Sequence, residues 1–421
     1  MTGCDAIVVG AGLAGLACAA DLVAAGWSVR LLESSDGVGG RMRTDRRNGF
    51  LLDRGFQVLN TSYPQVRRRV GLRELRLRPF TPGTLVRDGS AQWRFVDPTR
   101  RPREAADLLP GRLASGRDLF ALGVLSARDL LGPVTAIRRA SEHTTLIALA
   151  DAGVSAELVE RFFRPFLAGV FLEDELETSS RFFHLVWRSM LRGTLCLPAE
   201  GIGALPQRLA AALPPDTIRL DTPVARVTEE GVLTADGTAQ AAPVVVVATG
   251  HAVAARLLPG LTVPAGRTAT TYYHATDAAP LREPTLVLDA RRRFLQTCVV
   301  SEVAPTYAGD GRALVSTSVL GPDRPGREAA VRADLGAVYG VDTADWEPIA
   351  TYSIPDALPA MPPPWPLTRT CRFAPGRYVC GDHRATGSVQ GALASGTRAA
   401  RELLADHAAG SVPGPGEARP T

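Results

Sequence analysis

Apolar and polar positions recur along the chain with two periods, and the switches between them outline the fold. Residues 5–9, DAIVV, form a short apolar run that suits a strand buried on both faces. Gly10, Gly12 and Gly15 follow. Leu13, Leu16, Ala17, Ala20, Val23 and Ala24 then recur at helical spacing, with Gly26 as a stop. Residues 28–32 read as a second strand with Glu33 at its end. Together they make one strand–helix–strand unit of about 30 residues, the usual size.

Further along, residues 50–52 predict a strand ending at Asp53. TSYPQVRRRVG predicts a helix with Ser62 as N-cap, Pro64 in its first turn and Gly71 at its stop. Residues 72–199 are richer in helical periodicity, Arg and Phe, and mark a second domain. PAEGIGALPQRLAAALPP returns to a glycine turn and a helix with Leu205, Leu209 and Leu213 on one face. Strands are predicted at 217–220, 224–228 and 244–249, with a hairpin turn at Asp236-Gly237. Residues 270–320 alternate as antiparallel sheet does. RYVCGD is a last strand, before a helix with Val389, Ala392, Leu393, Gly396, Ala400 and Leu403 on one face. Residues 408–421, rich in Gly and Pro, predict a disordered tail.

Composition narrows the chemistry. A chain of 421 residues is too long for one simple core, and a net charge of +4 gives no electrostatic case for nucleic acid. Every basic side chain besides histidine is Arg. A lysine Schiff base or lysine general base is therefore excluded. The six cysteines form no CxxC pair and the six histidines no ligand spacing, so no metal site is expected. No apolar run nears the roughly 18 residues that span a bilayer, and no secretory leader is evident. A cytoplasmic protein is expected. The Arg runs at 67–69, 100–103 and 291–293 read as solvated surface, with peripheral membrane contact left open.

Gly10-Ala11-Gly12-Leu13-Ala14-Gly15 fits G-x-G-x-x-G, with the strand before it and the helix after it that the motif needs. Gly10 permits the tight turn, Gly12 lets the backbone approach a pyrophosphate, and Gly15 lets helix and strand pack closely. The helix N-terminus offers amide donors and partial positive charge. Glu33 lies where an acid binds ribose hydroxyls. These residues indicate a dinucleotide without choosing between NAD and FAD; a glycine turn that merely packs a helix is the plainer alternative. A second cluster, Gly37-Val38-Gly39-Gly40-Arg41, decides for FAD, because a second glycine cradle with a fixed donor suits an extended ligand.

VVGAGLAGLACAADLVAAGWSVRLLESSDGVGGRMRT, followed by NGFLLDRGFQVL, resembles the flavin-binding signature of the FAD-dependent amine oxidase and phytoene desaturase superfamily. YVCGDHRATGSVQGALASGTRAA resembles the last FAD-binding segment of the same group. The resemblance implies an α/β fold: a Rossmann-like FAD-binding domain (residues 1–75, 200–262 and 350–407) with an inserted mixed sheet-plus-helix substrate domain (76–199 and 263–349). It implies that Gly10, Gly12, Ala14 and Gly15 hold the pyrophosphate and Glu33 the ribose. Gly39, Gly40 and Arg41 would line the pyrophosphate and ribityl path. Val224 would touch the adenine side through its backbone, Thr249 would also contact the cofactor, and Gly381 and Asp382 would stand near a ribityl or phosphate oxygen. Ser388, Val389, Gln390, Gly391 and Ala392 would aim the last helix at the flavin pyrimidine, and Arg54, Gly55, Phe56 and Gln57 would pass the flavin ring.

The family's amine oxidases often use a lysine near the flavin, and this chain has none. No catalytic residue is assigned: Tyr272, Tyr273, His274 and Tyr352 could lie near the flavin, with strand packing the plainer reading of TYYHA, and His383 reads as a structural neighbour of the site before a catalytic group. NGFLLDRGFQVL lies closer to the desaturase side. The expected activity is therefore oxidation or desaturation of a largely apolar small molecule, a polyene, terpenoid or secondary metabolite, by a monomer or homodimer. A flavin amine oxidase and a non-redox flavin-dependent isomerase or cyclase stay open. RFFRPFLAGVFL and RFFHLVWRSML read as core helices first; an apolar substrate tunnel or membrane contact would look similar.

Overall fold

In a computed structural model, residues 4–96, 100, 101, 103 and 114–415 are described. A six-stranded sheet runs in the order Ile218–Arg219, Val29–Leu32, Ala6–Val9, Val244–Val247, Arg377–Val379, Arg372–Ala374. Its inner strands are parallel, with Ala6 opposite both Val29 and Val244. All four residues of Ala6–Val9 and of Val244–Val247 are buried, as a strand covered on both faces requires.

Strand alternation divides the cover. Ala6 and Val8 face the helices Leu13–Ala24 and Val389–Ala408. Ile7 and Val9 face a small antiparallel sheet that contributes Val224 and Val232. The two helices pack closely because Gly396 carries no side chain: a Cβ there would lie 2.1 Å from the carbonyl oxygen of Ala14.

A seven-stranded sheet forms the second layer, in the order Glu347–Pro359, Gly266–Thr276, Ala313–Leu320, Gln296–Val299, Leu286–Asp289, Gly83–Asp88, Ala91–Val96. The antiparallel expectation for residues 270–320 holds within that stretch. Leu286–Asp289 nonetheless runs parallel to Gly83–Asp88, a strand that arrives from far off in the chain. The helix Arg164–Phe171 covers the strands Leu286–Asp289 and Gln296–Val299. The helix Ser180–Arg192 packs against Gly116–Leu131. The opposite face takes the helix Arg327–Tyr339 through Val331 and Leu335.

Two expectations change. The helix Pro64–Arg69 has Tyr63, not Ser62, at its N-cap, and Val70 is already extended. Ser62 instead donates its hydroxyl to the carbonyl oxygen of Ser189, and the Asn60 side chain accepts its backbone N–H. The tail expected to be disordered from residue 408 folds back as far as it is described. Val412 is buried, and the His407 imidazole donates to its carbonyl oxygen at 3.2 Å. Residues 416–421 lie outside the described residues.

Candidate functional site

A cavity of 690 Å³ opens where the first helix meets the sheet and continues between the two layers. Gly10, Gly12, Ala14, Glu33, Gly39, Gly40 and Arg41 line its first part. Gly10 has φ +104° and Gly39 φ +115°, values that side-chain-bearing residues rarely adopt. The two glycine turns are pinned together, since Gly39 N–H donates to the carbonyl oxygen of Ala11 at 2.9 Å. A Cβ on Gly12 would meet nothing within 4 Å, so the turn presents bare backbone to the cavity.

The helix behind the turn has Gly12 at its N-cap, no capping side chain and no acid in its first turn. Its leading N–H groups are left for a ligand. The buried Glu33 carboxylate accepts from Ala11 N at 2.7 Å and from the Ser35 backbone and hydroxyl at 3.0 and 2.8 Å. It thus braces the turn from the end of its strand. This donor set, with its glycine clearance, fits the pyrophosphate and ribose of a dinucleotide.

Arg41 joins this part to the C-terminal segment. It donates to the carbonyl oxygen of Ala357 at 2.7 Å and to Asp382 Oδ2 at 2.8 Å. Gln57 Nε2 donates to the carbonyl oxygen of Arg41 at 2.8 Å. Gly381 and Asp382 line the cavity, as do Ser388, Val389 and Ala392 at the start of the last helix. Ser388 caps that helix by accepting from Gly391 N at 3.0 Å. Val224, Thr249, Arg54, Gly55, Phe56 and Gln57 also reach the wall. The Arg54 charge is held by Asp45, 2.9 Å from Nη2.

Three expected ligand contacts serve the backbone instead. Gly15 sits behind the turn, where a Cβ would lie 1.9 Å from the carbonyl oxygen of Gly10. Gly391 is equally packed, 1.9 Å from the carbonyl oxygen of Thr386 by the same measure. Gln390 turns toward the helix Pro64–Arg69, where its Oε1 accepts from Gln65 N at 2.9 Å.

The catalytic candidates are not on the cavity wall, and strand parity is the main reason. On Gly266–Thr276, Ala269 and Thr271 face the cavity. Tyr272 and His274 point to the other side, where Tyr272 donates to Asp323 and His274 Nε2 meets Glu328 at 2.9 Å. Burial lowers the His274 pKa, against the pull of Glu328. Tyr273 shares the parity of Thr271 but lies further along, donating to the carbonyl oxygen of Asp53 at 2.9 Å. The Tyr352 hydroxyl donates to Asp45 Oδ2 at 2.8 Å. His383 is buried beside Asp382, neither ring nitrogen is hydrogen-bonded among the described residues, and burial pushes its pKa down to about 4.

Beyond the glycine turns the cavity becomes an apolar chamber. Phe166, Gly169 and Val170 come from the helix Arg164–Phe171; Phe182, Val186 and Met190 from Ser180–Arg192; Leu286 and Leu288 from their strand. These are the two Phe-rich segments for which the sequence left core, tunnel and membrane contact open; in the structure they supply both core side chains and cavity wall. Asn60, Tyr63, Thr271, Gln296 and Ser318 also line the cavity and were not foreseen. Burial pushes the Tyr63 phenol up to about 12, so it stays protonated. Among the described residues no group of three His, Cys, Asp or Glu is placed to hold a metal ion, and no helix is long and apolar enough to cross a membrane.

A family model for flavin containing amine oxidoreductases matches residues 13–404. L-amino-acid oxidase from Crotalus adamanteus is 34% identical over 107 residues, 25% of this chain and 20% of that protein. 4,4'-diapolycopene oxygenase from Methylomonas sp is 47% identical over 53 residues, 13% of this chain and 11% of that protein. Both alignments thus span a fifth or less of the relative's length. Cyclohexylamine oxidase from Brevibacterium oxydans IH-35A shares the fold, with a TM-score of 0.70 at 18% identity over 97% of this chain and 100% of that one.

Proposed function

The chain belongs to the flavin containing amine oxidoreductases, whose cofactor is FAD, and from that premise we propose that it oxidises or desaturates a largely apolar small molecule. One observation carries the reading: a single cavity joins the paired glycine turns to a chamber walled by Phe166, Phe182, Val186, Leu286 and Leu288. Bound FAD would take a hydride from a C–H bond of a substrate seated in that chamber.

The chain's own residues bind, orient and exclude water. Gly10, Gly12 and Ala14, with the first helix's N-terminus, would hold the pyrophosphate, and Glu33 the adenosine ribose. Arg41 and Asp382, already paired, would flank the ribityl chain. The last helix, 20 residues long, directs its N-terminal end at the cavity, where its dipole would favour negative charge on the flavin pyrimidine. We assign the FAD-binding role to the six-stranded layer and substrate binding to the seven-stranded sheet with its helices. The apolar wall keeps water from the reacting carbon.

The short likeness to a diapolycopene oxygenase supports a polyene or terpenoid substrate. Amine oxidation is the second reading, favoured by the family model and by the likeness to L-amino-acid oxidase. The test is to load the protein with FAD, hold it anaerobic, and follow the visible flavin band during additions of terpenoids, polyenes and amines. Bleaching by an apolar hydrocarbon or alcohol, with a product two hydrogens lighter, supports the reading. Bleaching by amines alone replaces it with the amine reading. A product of unchanged mass without bleaching points to isomerisation.

A further inference from the structure

The wall of the chamber carries a polar group that the protein does not satisfy. Gln296, on the strand Gln296–Val299, is only 8% exposed and lines the cavity. Among the described residues neither its Oε1 nor its amide nitrogen has a hydrogen-bond partner. The carboxamide occupies the notch left by Gly169, where a Cβ would lie 2.7 Å from Oε1.

The neighbouring strands do not help it. In the sheet register Gln296 stands opposite Ser318, and Ser318 opposite Thr271. Thr271 and Ser318 satisfy each other, their hydroxyls 2.8 Å apart. This polar row across three strands ends in one unsatisfied amide, beside Val170, Leu286 and Leu288. A buried amide without a partner is costly and rare in a native fold, and a ligand oxygen that accepts from its nitrogen offsets part of that cost.

We propose that Gln296 is the specificity-determining residue of the chamber, hydrogen-bonding a hydroxyl or carbonyl oxygen borne by an otherwise apolar substrate. The proposal rests on the apolar reading given above. Oε1 lies in the Gly169 notch, so the amide nitrogen is the end that a substrate oxygen reaches, and it donates to a hydroxyl or a carbonyl oxygen without needing a charge. A carboxylate or ammonium group would enter beside these apolar side chains without a counter-charge and lose its hydration.

The experiment uses FAD-loaded protein and three probes of one skeleton: farnesene, farnesol and farnesal. Dissociation constants come from the perturbation of the flavin absorption band. The expected result is that farnesol or farnesal binds about tenfold more tightly than farnesene, the worth of one neutral hydrogen bond. In Gln296→Met, similar in length without donor or acceptor, the ratio should fall to within about twofold. The Met variant's melting temperature should equal or exceed that of the wild type, whereas a structural role would lower it. Gln296→Leu is the second variant should the first not fold.

An unchanged ratio in the variant overturns the proposal. So does a ratio near one in the wild type when all three probes bind, and in that case the apolar reading survives. If no probe perturbs the band while amines bleach it, the apolar reading falls and the assignment of Gln296 falls with it.

Discussion

A Cβ added to Gly15 would lie 1.9 Å from the carbonyl oxygen of Gly10, so the first helix can approach its strand only because this position is bare. At Gly12, on the cavity wall, the same added atom meets nothing within 4 Å. One motif therefore holds glycines for two reasons, and substitution separates them. Gly15→Ala should destabilise the fold by about 2–3 kcal/mol or more, as overpacking against backbone does. Gly12→Ala should melt no lower than wild type, because its φ of −72° suits alanine. It should weaken FAD binding by about tenfold or more, ~1.4 kcal/mol. Thermal melts of the apoprotein and FAD titrations measure the two effects; an equal loss of stability in both variants would refute the distinction.

Arg41 and Asp382 lie far apart in sequence and 2.8 Å apart in space, closing the cavity between the second glycine turn and the C-terminal segment. The Asp382 side chain is 6% exposed and depends on this partner more than the half-open Arg41 does. Arg41→Ala should cost about 1–3 kcal/mol through the stranded carboxylate, and should raise the FAD dissociation constant at least about tenfold. Arg41→Lys should recover only part of both, since one ammonium cannot reproduce the two-pronged contact to Asp382 and the Ala357 carbonyl. Fluorescence titration with FAD would show whether Lys instead restores binding fully.

Why the FAD end could be read in sequence, and the chamber only in part, follows from what each demands of the backbone. Gly10 and Gly39 need positive φ and Gly12 needs clearance, so the amino-acid identity itself records the geometry. Glu33 follows from its place at a strand end. The direction of Gln390 was not legible, because the helix start fixes Ser388 and Val389 toward the cavity and then rotates the next side chain toward Gln65. Tyr272 and His274 looked like site residues because they are aromatic and near the right strand. Which face they took depended on a register set by Ser318 and Tyr352, partners distant in sequence. Phe166 and Phe182 follow the same helical period whether they fill a core or wall a cavity. Gln296 carries no local pattern at all; only the assembled sheet shows that its amide is unpaired.

Val186 projects from the helix Ser180–Arg192 into the chamber, away from the glycine turns. A tryptophan there would fill space that the substrate needs without touching the pyrophosphate cradle. Val186→Trp should retain FAD, with an unaltered flavin band, and lose at least about tenfold in kcat/KM for an apolar substrate. Stopped-flow reduction of the bound flavin reports this directly. Undiminished reduction by the best substrate would place the reacting molecule somewhere other than this chamber.

Two buried groups should give the fold opposite pH responses. Asp53 is 3% exposed, and burial pushes its pKa up to about 6, although Thr44, Tyr307 and the Ile202 N–H all donate to it. The native state therefore binds this proton more tightly than the unfolded chain, whose carboxyl titrates near 3.8. The Asp53 contribution is fully present at low pH and falls by about 3 kcal/mol as pH rises from about 4 to about 6. His383 does the reverse. Its pKa falls from 6.5 to about 4 on burial, so the unfolded chain binds the extra proton across that window. Its contribution is present above about pH 6.5 and is lost, again by about 3 kcal/mol, as pH drops toward 4. In the wild type the two slopes oppose each other. Asp53→Asn should gain on the wild type as pH rises from 4 to 6, and His383→Leu should gain as pH falls from 6.5 to 4. Melting temperatures of the FAD-loaded protein across pH 4 to 7, taken as variant minus wild type, display the two slopes. A flat difference for either variant would show that its group has the same proton affinity folded and unfolded.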